Sequence, residues 1–155
     1  MPRKLVIVVV LALVGVLVAV GVAVAGARSQ AEDRQTLQFT IKLKPLFLVD
    51  LGKRGPSKGD VIIDNDRLLN ASGKDVGRDG IACTITDPSV PEAACQGSFV
   101  LPGGQITVQF LNSPPPVKIA AITGGTGRYR TARGQVKLVE PATGKIGSVS
   151  FALAH

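Results

Sequence analysis

Aromatic side chains are scarce: the 155-residue chain has five Phe, one Tyr and no Trp. A groove for single-stranded nucleic acid needs stacking rings interleaved with a basic track. Here only Tyr129 stands within the densest basic cluster, Arg128, Arg130 and Arg133. The other Lys and Arg residues come singly, so the net charge of +7 describes a solvated basic surface, and no nucleic-acid partner is expected. Histidine is nearly absent as well. His155, at the far C-terminus, is the only one, which excludes Ser-His-Asp and Cys-His catalysis. Two cysteines spaced wider than a zinc knuckle cannot complete a tetrahedral shell with it, so no metal is expected. A sustained helical period is missing after residue 30, and no internal repeat of 20–50 residues is visible.

Charge is also missing from Leu5 to Ala25, a run of 21 residues that are nearly all Val, Leu, Ala or Gly. The basic start Met1-Pro-Arg-Lys4 places the N-terminus on the cytoplasmic side. Such a run is long for a signal-peptide core and long enough to span a bilayer as a helix. Ala23-Val-Ala25 and Ala25-Gly-Ala27 nevertheless fit signal peptidase. Residues 1–27 therefore read as a signal peptide or a membrane anchor, 28–35 as a linker and 36–155 as the folded domain. Either way the domain is exported, secreted or anchored to the membrane by residues 5–25. Cys83 and Cys95 agree with an oxidising compartment, where they are expected to form one disulfide.

The period of the domain is two. Leu37, Phe39, Ile41 and Leu43 share one face of a strand, and Thr36, Gln38, Thr40 and Lys42 the other. The alternation recurs over Gln105–Phe110, Gln135–Val139 and Ser148–Leu153. Shorter apolar runs lie at Leu46–Leu51, Val61–Ile63, Phe99–Leu101 and Val117–Ile122. Between them stand turn signals such as Gly52–Pro56, Ser72-Gly, Arg78-Asp-Gly80, Pro102-Gly-Gly104 and Ser113–Pro116. About eight short strands separated in this way predict an all-β sandwich or barrel.

The string Ile122-Thr-Gly-Gly-Thr-Gly-Arg-Tyr-Arg-Thr-Ala-Arg-Gly-Gln135 invites a phosphate-loop reading. A phosphate cradle opens a helix, whereas Gly134-Gln-Val-Lys-Leu-Val139 reads as a strand. Gly124, Gly125 and Gly127 are instead expected to make a tight connection between two strands. At this string the chain resembles the allene oxide cyclase and dirigent barrels. The segments Leu51–Asp60, Asn65–Leu69 with Asp75–Gly77, Ile81–Thr84 and Gly97–Gln109 follow in that family's order. The resemblance spans about residues 36–153 and implies an eight-stranded antiparallel β-barrel, often a homo-trimer, around an apolar pocket. It implies a small apolar ligand whose cyclisation or coupling is steered, as in an isomerase, without a cofactor. On the first strand this chain offers Thr40 and Lys42 where the cyclases carry Glu and Asn and the dirigents an Asp, while Arg133 is retained.

Four residues stand out as candidates for chemistry. Asp64 and Asp66 would share a face on a strand as paired carboxylates for acid/base work, yet they equally fit a bend around Asn65. Tyr129 could donate a proton or stack on a ligand, or simply pack. Arg133 could hold an anionic group or a structural ion pair. A non-catalytic binding barrel and a filled structural barrel are the competing readings, separated by whether the interior holds a cavity with convergent polar groups.

Overall fold

A computed structural model describes residues 35–112, 116–142 and 145–154, and the fold is all-β. The apolar N-terminal segment, residues 5–25, lies outside the described residues, as do residues 143 and 144. Among the described residues no helix is long and apolar enough to cross a membrane. The described residues all fall within one compact unit.

Ten strand segments follow one another: β1 (Gln35–Lys42), β2 (Phe47–Val49), β3 (Val61–Asp64), β4 (Arg67–Leu69), β5 (Asp75–Asp87), β6 (Glu92–Leu101), β7 (Gly104–Asn112), β8 (Val117–Gly125), β9 (Arg133–Val139) and β10 (Ile146–Ala154). All pairings are antiparallel, and the β5–β6 pair closes the sheet into a ring. Ten segments make eight staves. Both β3 and β4 pair with β5, at Val61–Asp64 and Arg67–Leu69, so they are one stave broken at Asn65–Asp66. Correspondingly β1 pairs with β4, and β2 continues alongside β3. An eight-stranded barrel has an interior just wide enough to be filled by side chains or to hold one small ligand.

Alternation decides what fills it. Ile41, Leu68, Ile81, Phe99, Ile106, Val108, Val136, Leu138, Val149, Phe151 and Leu153 point inward and are buried. Phe99 and Phe151 meet edge to face with centroids 5.1 Å apart, and Phe39 meets Phe151 at 6.1 Å. Each such buried side chain contributes about 1.5–3 kcal/mol relative to exposure. These rings fill the middle of the barrel. One end, here the base, carries the Pro102–Gly103 turn, the glycine string and the start of β1. The other, the mouth, carries the Leu43–Asp60 segment, the Pro88–Pro91 turn and the β9–β10 connection.

One reading of the sequence is corrected: Arg78-Asp-Gly80 is not a turn but lies inside the 13-residue strand β5. The expected disulfide is present, with Cys83 and Cys95 bonded directly opposite each other on β5 and β6, facing inward and buried. Pro88 and Pro91 belong to the tight turn joining those strands. The bridge fits the oxidising compartment expected of an exported domain.

Candidate functional site

The break between β3 and β4 creates the most unusual chemistry of the molecule. Asp64 lies opposite Ile81 on β5, and residues opposite each other on antiparallel strands share a face. Because Ile81 points into the core, so does Asp64. Asp79, two residues before Ile81, points the same way and lies opposite Phe99. Asp66 follows at the break itself. Oxygens of these three carboxylates all lie within 4.8 Å of one another, with Asp66 and Asp79 buried and Asp64 half-buried.

Hydrogen bonds distinguish the three. Asp66 Oδ1 accepts from the Lys44 amide at 2.6 Å, and Asp79 Oδ1 accepts from the Asp66 amide at 2.6 Å. Asp64 Oδ1 is buried with no partner at all. Burial, reinforced by the negative charges of Asp66 and Asp79, pushes the Asp64 carboxyl up to about 7. Burial likewise raises Asp79 to about 6, against the lowering effect of its bond from the Asp66 amide. Asp66 is also raised by burial, opposed by the Lys44 amide and by a bond from Asp64. Asp64 thus holds its proton near neutrality and shares it with Asp66.

Two further ionic groups complete this wall. Lys118 lies opposite the buried Leu138, and Glu140 extends the inward series Val136, Leu138 by one step. They pair with each other through Lys118 Nζ and Glu140 Oε2. Both act on Asp64, Glu140 raising its pKa and Lys118 lowering it. The mouth-side lumen therefore holds four acids and one lysine. In acid/base terms such a site can give up or take a proton at Asp64, whose buried Oδ1 has no hydrogen-bond partner. Any cation would have to be held by the same three aspartates, two of whose oxygens already accept backbone N–H bonds.

Ile62, two residues before Asp64 on the same face, lines an apolar pocket of about 390 Å³ at the mouth. Leu46, Leu48, Ile85 and Ala93 are among its other walls, with Glu92 and Asn112 as its polar members. Its size suits a small molecule.

The remaining sequence candidates lie elsewhere. Tyr129 is buried at the base, its hydroxyl donating to the Pro102 carbonyl at 3.2 Å under the Arg128 guanidinium. Arg133 is exposed at the start of β9, also at the base. The structure thus brings Asp64 and Asp66 together and places Tyr129 and Arg133 at the opposite end. Gly124, Gly125 and Gly127 form the connection from β8 into a single 3-10 turn, Gly127–Tyr129. Asp79, Lys118 and Glu140 were not singled out by sequence reasoning. Extending the alternation of Ala120 and Ile122 back to Lys118, and of Val136 and Leu138 on to Glu140, would have found two of them. Asp79 was hidden by the turn reading of Arg78-Asp-Gly80.

Fold and site together define a small closed antiparallel barrel with an ionisable cluster set in its lumen beside an apolar pocket. The family model "allene oxide cyclase barrel like domain" matches residues 35–153, and the chain belongs to that family. The solved structure of pyocyanin demethylase is similar at 32% identity and a TM-score of 0.67, over 77% of this chain and 100% of that one. The pterocarpan synthase dirigent protein PsPTS1 is similar at 18% identity and TM-score 0.61, covering 79% of this chain and 94% of that one. The Diels-Alderase AbmU from Streptomyces koyangensis is similar at 14% identity and TM-score 0.65, covering 82% and 71%. The last two share the fold alone. A search of curated protein sequences found no match.

Proposed function

We propose that this chain is an exported barrel that takes a small, largely apolar ligand at its mouth and steers that ligand's isomerisation, cyclisation or coupling by proton transfer at Asp64. The observation that carries this reading is the unpartnered Oδ1 of Asp64, buried in the lumen two residues along β3 from Ile62, which lines the apolar pocket. A carboxyl that keeps its proton to about 7 is poised as a general acid, and as a base once that proton has left. Asp66 and Asp79 supply the like charge that poises it, and Glu140 with Lys118 bounds the site. No cofactor is needed for such a step, because orientation and exclusion of water supply the rest. A similar protein named pyocyanin demethylase supports a reading of small-molecule chemistry for this barrel. Export rests on the apolar N-terminal run and the disulfide, and a trimeric assembly on the family resemblance.

Binding without chemistry is the second reading, favoured by the mostly apolar lining of the pocket. Thermal shift and mass spectrometry across phenolic, oxylipin and nitrogen-heteroaromatic panels separate the two, with product analysis of every compound that binds. The expected outcome is turnover of a bound compound that Asp64→Asn lowers by about 10²–10⁴-fold while binding persists. Binding with no turnover would leave a carrier, and turnover untouched by Asp64→Asn would move the acid elsewhere.

A further inference from the structure

The segment that walls the pocket mouth has a second, outward side. Leu46 and Leu48 line the pocket, while Phe47 between them points away from it and is 66% exposed; Leu51 is 67% exposed. Strand β2 carries Phe47 at the edge of its local sheet, paired on one side only, with β3. Large apolar side chains left this open are normally covered by something.

Charge in the same segment is sorted. Both of its acids are turned into its own backbone. Asp50 accepts from the Gly55 amide at 2.8 Å, and the fully buried Asp60 accepts from the amides of Leu51, Gly52 and Ser57 and from the Ser57 hydroxyl. Those bonds, the Leu51 amide first, hold the Asp60 carboxyl below its ordinary value. They fix Leu51 and the turn after it. The bases Lys53, Arg54 and Lys58 point outward and are exposed. Lys58 faces Asp87, whereas among the described residues no acid pairs with Lys53 or Arg54. The surface so made is apolar at Phe47 and Leu51, and the cationic Lys53 and Arg54 follow Leu51 after Gly52 in the same segment.

We propose that this lip docks the barrel onto an anionic lipid surface, Phe47 and Leu51 entering the headgroup boundary while Lys53 and Arg54 engage the phosphates. Apolar residues beside lysine and arginine are the combination that anionic bilayers hold. A second copy of the chain is the poorer occupant, since a self-complementary contact would bring Lys53 and Arg54 against their own counterparts. Docked this way, the pocket mouth opens at the bilayer, from which an apolar ligand enters without crossing water.

The test uses residues 28–155, which contain the compact unit of the described residues and the whole of the family match, residues 35–153. Phe47→Trp introduces the only tryptophan, at an exposed site that tolerates it. Phosphatidylglycerol vesicles are expected to shift its emission to the blue, and brominated lipid to quench it, while phosphatidylcholine vesicles do neither. Lys53→Gln with Arg54→Gln in the same background is expected to weaken binding about thirtyfold, since each charge near such a surface contributes about fivefold. Absence of a shift with phosphatidylglycerol, or binding unchanged by the double substitution, would overturn the proposal. So would a blue shift that grows with protein concentration in the absence of vesicles, which would assign the lip to a second copy. None of these readouts involves turnover, so they stand apart from the role of Asp64.

Discussion

Asp66 and Asp79 hold each other through the backbone: the Asp66 amide donates to Asp79 Oδ1 at 2.6 Å, and the Asp79 amide donates back to the Asp66 carbonyl at 3.2 Å. The pair locks the break between β3 and β4 onto β5, and so sets where Asp64 points.

That bond separates two substitutions of one residue. Asp79→Asn keeps an acceptor for the Asp66 amide and removes a buried charge, so it is expected to fold at least as stably as the parent at pH 7. Asp79→Ala leaves the amide buried without a partner, a loss of about 1–3 kcal/mol relative to Asp79→Asn. Urea unfolding of the two variants side by side measures the difference. Equal midpoints would mean that the amide bond does not hold the break.

Raised carboxyl pKa values make stability depend on pH in a defined direction. In the folded barrel Asp64 keeps its proton to about 7 and Asp79 to about 6, whereas in the unfolded chain both release it near 3.8. Between those values the unfolded chain binds fewer protons than the folded one, so stability falls as pH rises from about 4 to about 7 and then levels. Asp64→Asn retains an N–H donor toward Asp66 and removes the titration. It is expected to raise the unfolding midpoint at pH 7.5, to change it little at pH 4, and to flatten the profile between them. Denaturant titrations at four pH values check this; a parent profile that rises from pH 4 to 7 would contradict it.

The Cys83–Cys95 bridge joins residues 12 apart on paired strands whose turn is already tight. Restricting so short a loop in the unfolded chain stabilises by roughly 3 kcal/mol. Replacing both cysteines with alanine is expected to cost at least that much, because the two sulfurs also fill core volume between Ile81 and Ile85. Thiol counting under denaturing, non-reducing conditions should find none in the parent. The stability loss on dithiothreitol treatment should approach that of the double alanine variant, and a reduced parent as stable as the oxidised one would remove the bridge from the stability argument.

What the sequence made legible follows the physics of alternation. Strands with one face buried write their period into composition, which is why β1, β7, β9 and β10 were read close to their true limits. The glycine string was equally legible, since the conformations it serves exclude other residues. Strand β5 was not, because its inward face alternates between Gly77, Asp79 and Ile81 instead of staying apolar. A lumen lined with ionisable groups breaks the pattern that reveals strands. Asp64 and Asp66 were found because they are close in sequence. Asp79, Lys118 and Glu140 reach the same wall only through register, and register is a property of the closed barrel.

The base of the barrel offers the last test. Gly127 sits at φ +59° in the turn between β8 and β9, and a Cβ there would lie 2.2 Å from the Gly103 carbonyl oxygen. Gly103 is itself in the Pro102–Gly103 turn whose Pro102 carbonyl accepts the Tyr129 hydroxyl, so the two connections interlock. Gly127→Ala meets both problems. A left-handed conformation costs a non-glycine residue about 1–2 kcal/mol, and the clash adds to that because the oxygen it strikes belongs to backbone and cannot swing aside. Gly55, also at positive φ but with open space around it, is the control: Gly55→Ala meets only the conformational part. Gly127→Ala is therefore expected to lose more stability than Gly55→Ala in urea unfolding. The pH profile of Asp64, at the opposite end, should stay in place in both, and a shift in the Gly127 variant would show that the base and the mouth of the barrel are coupled.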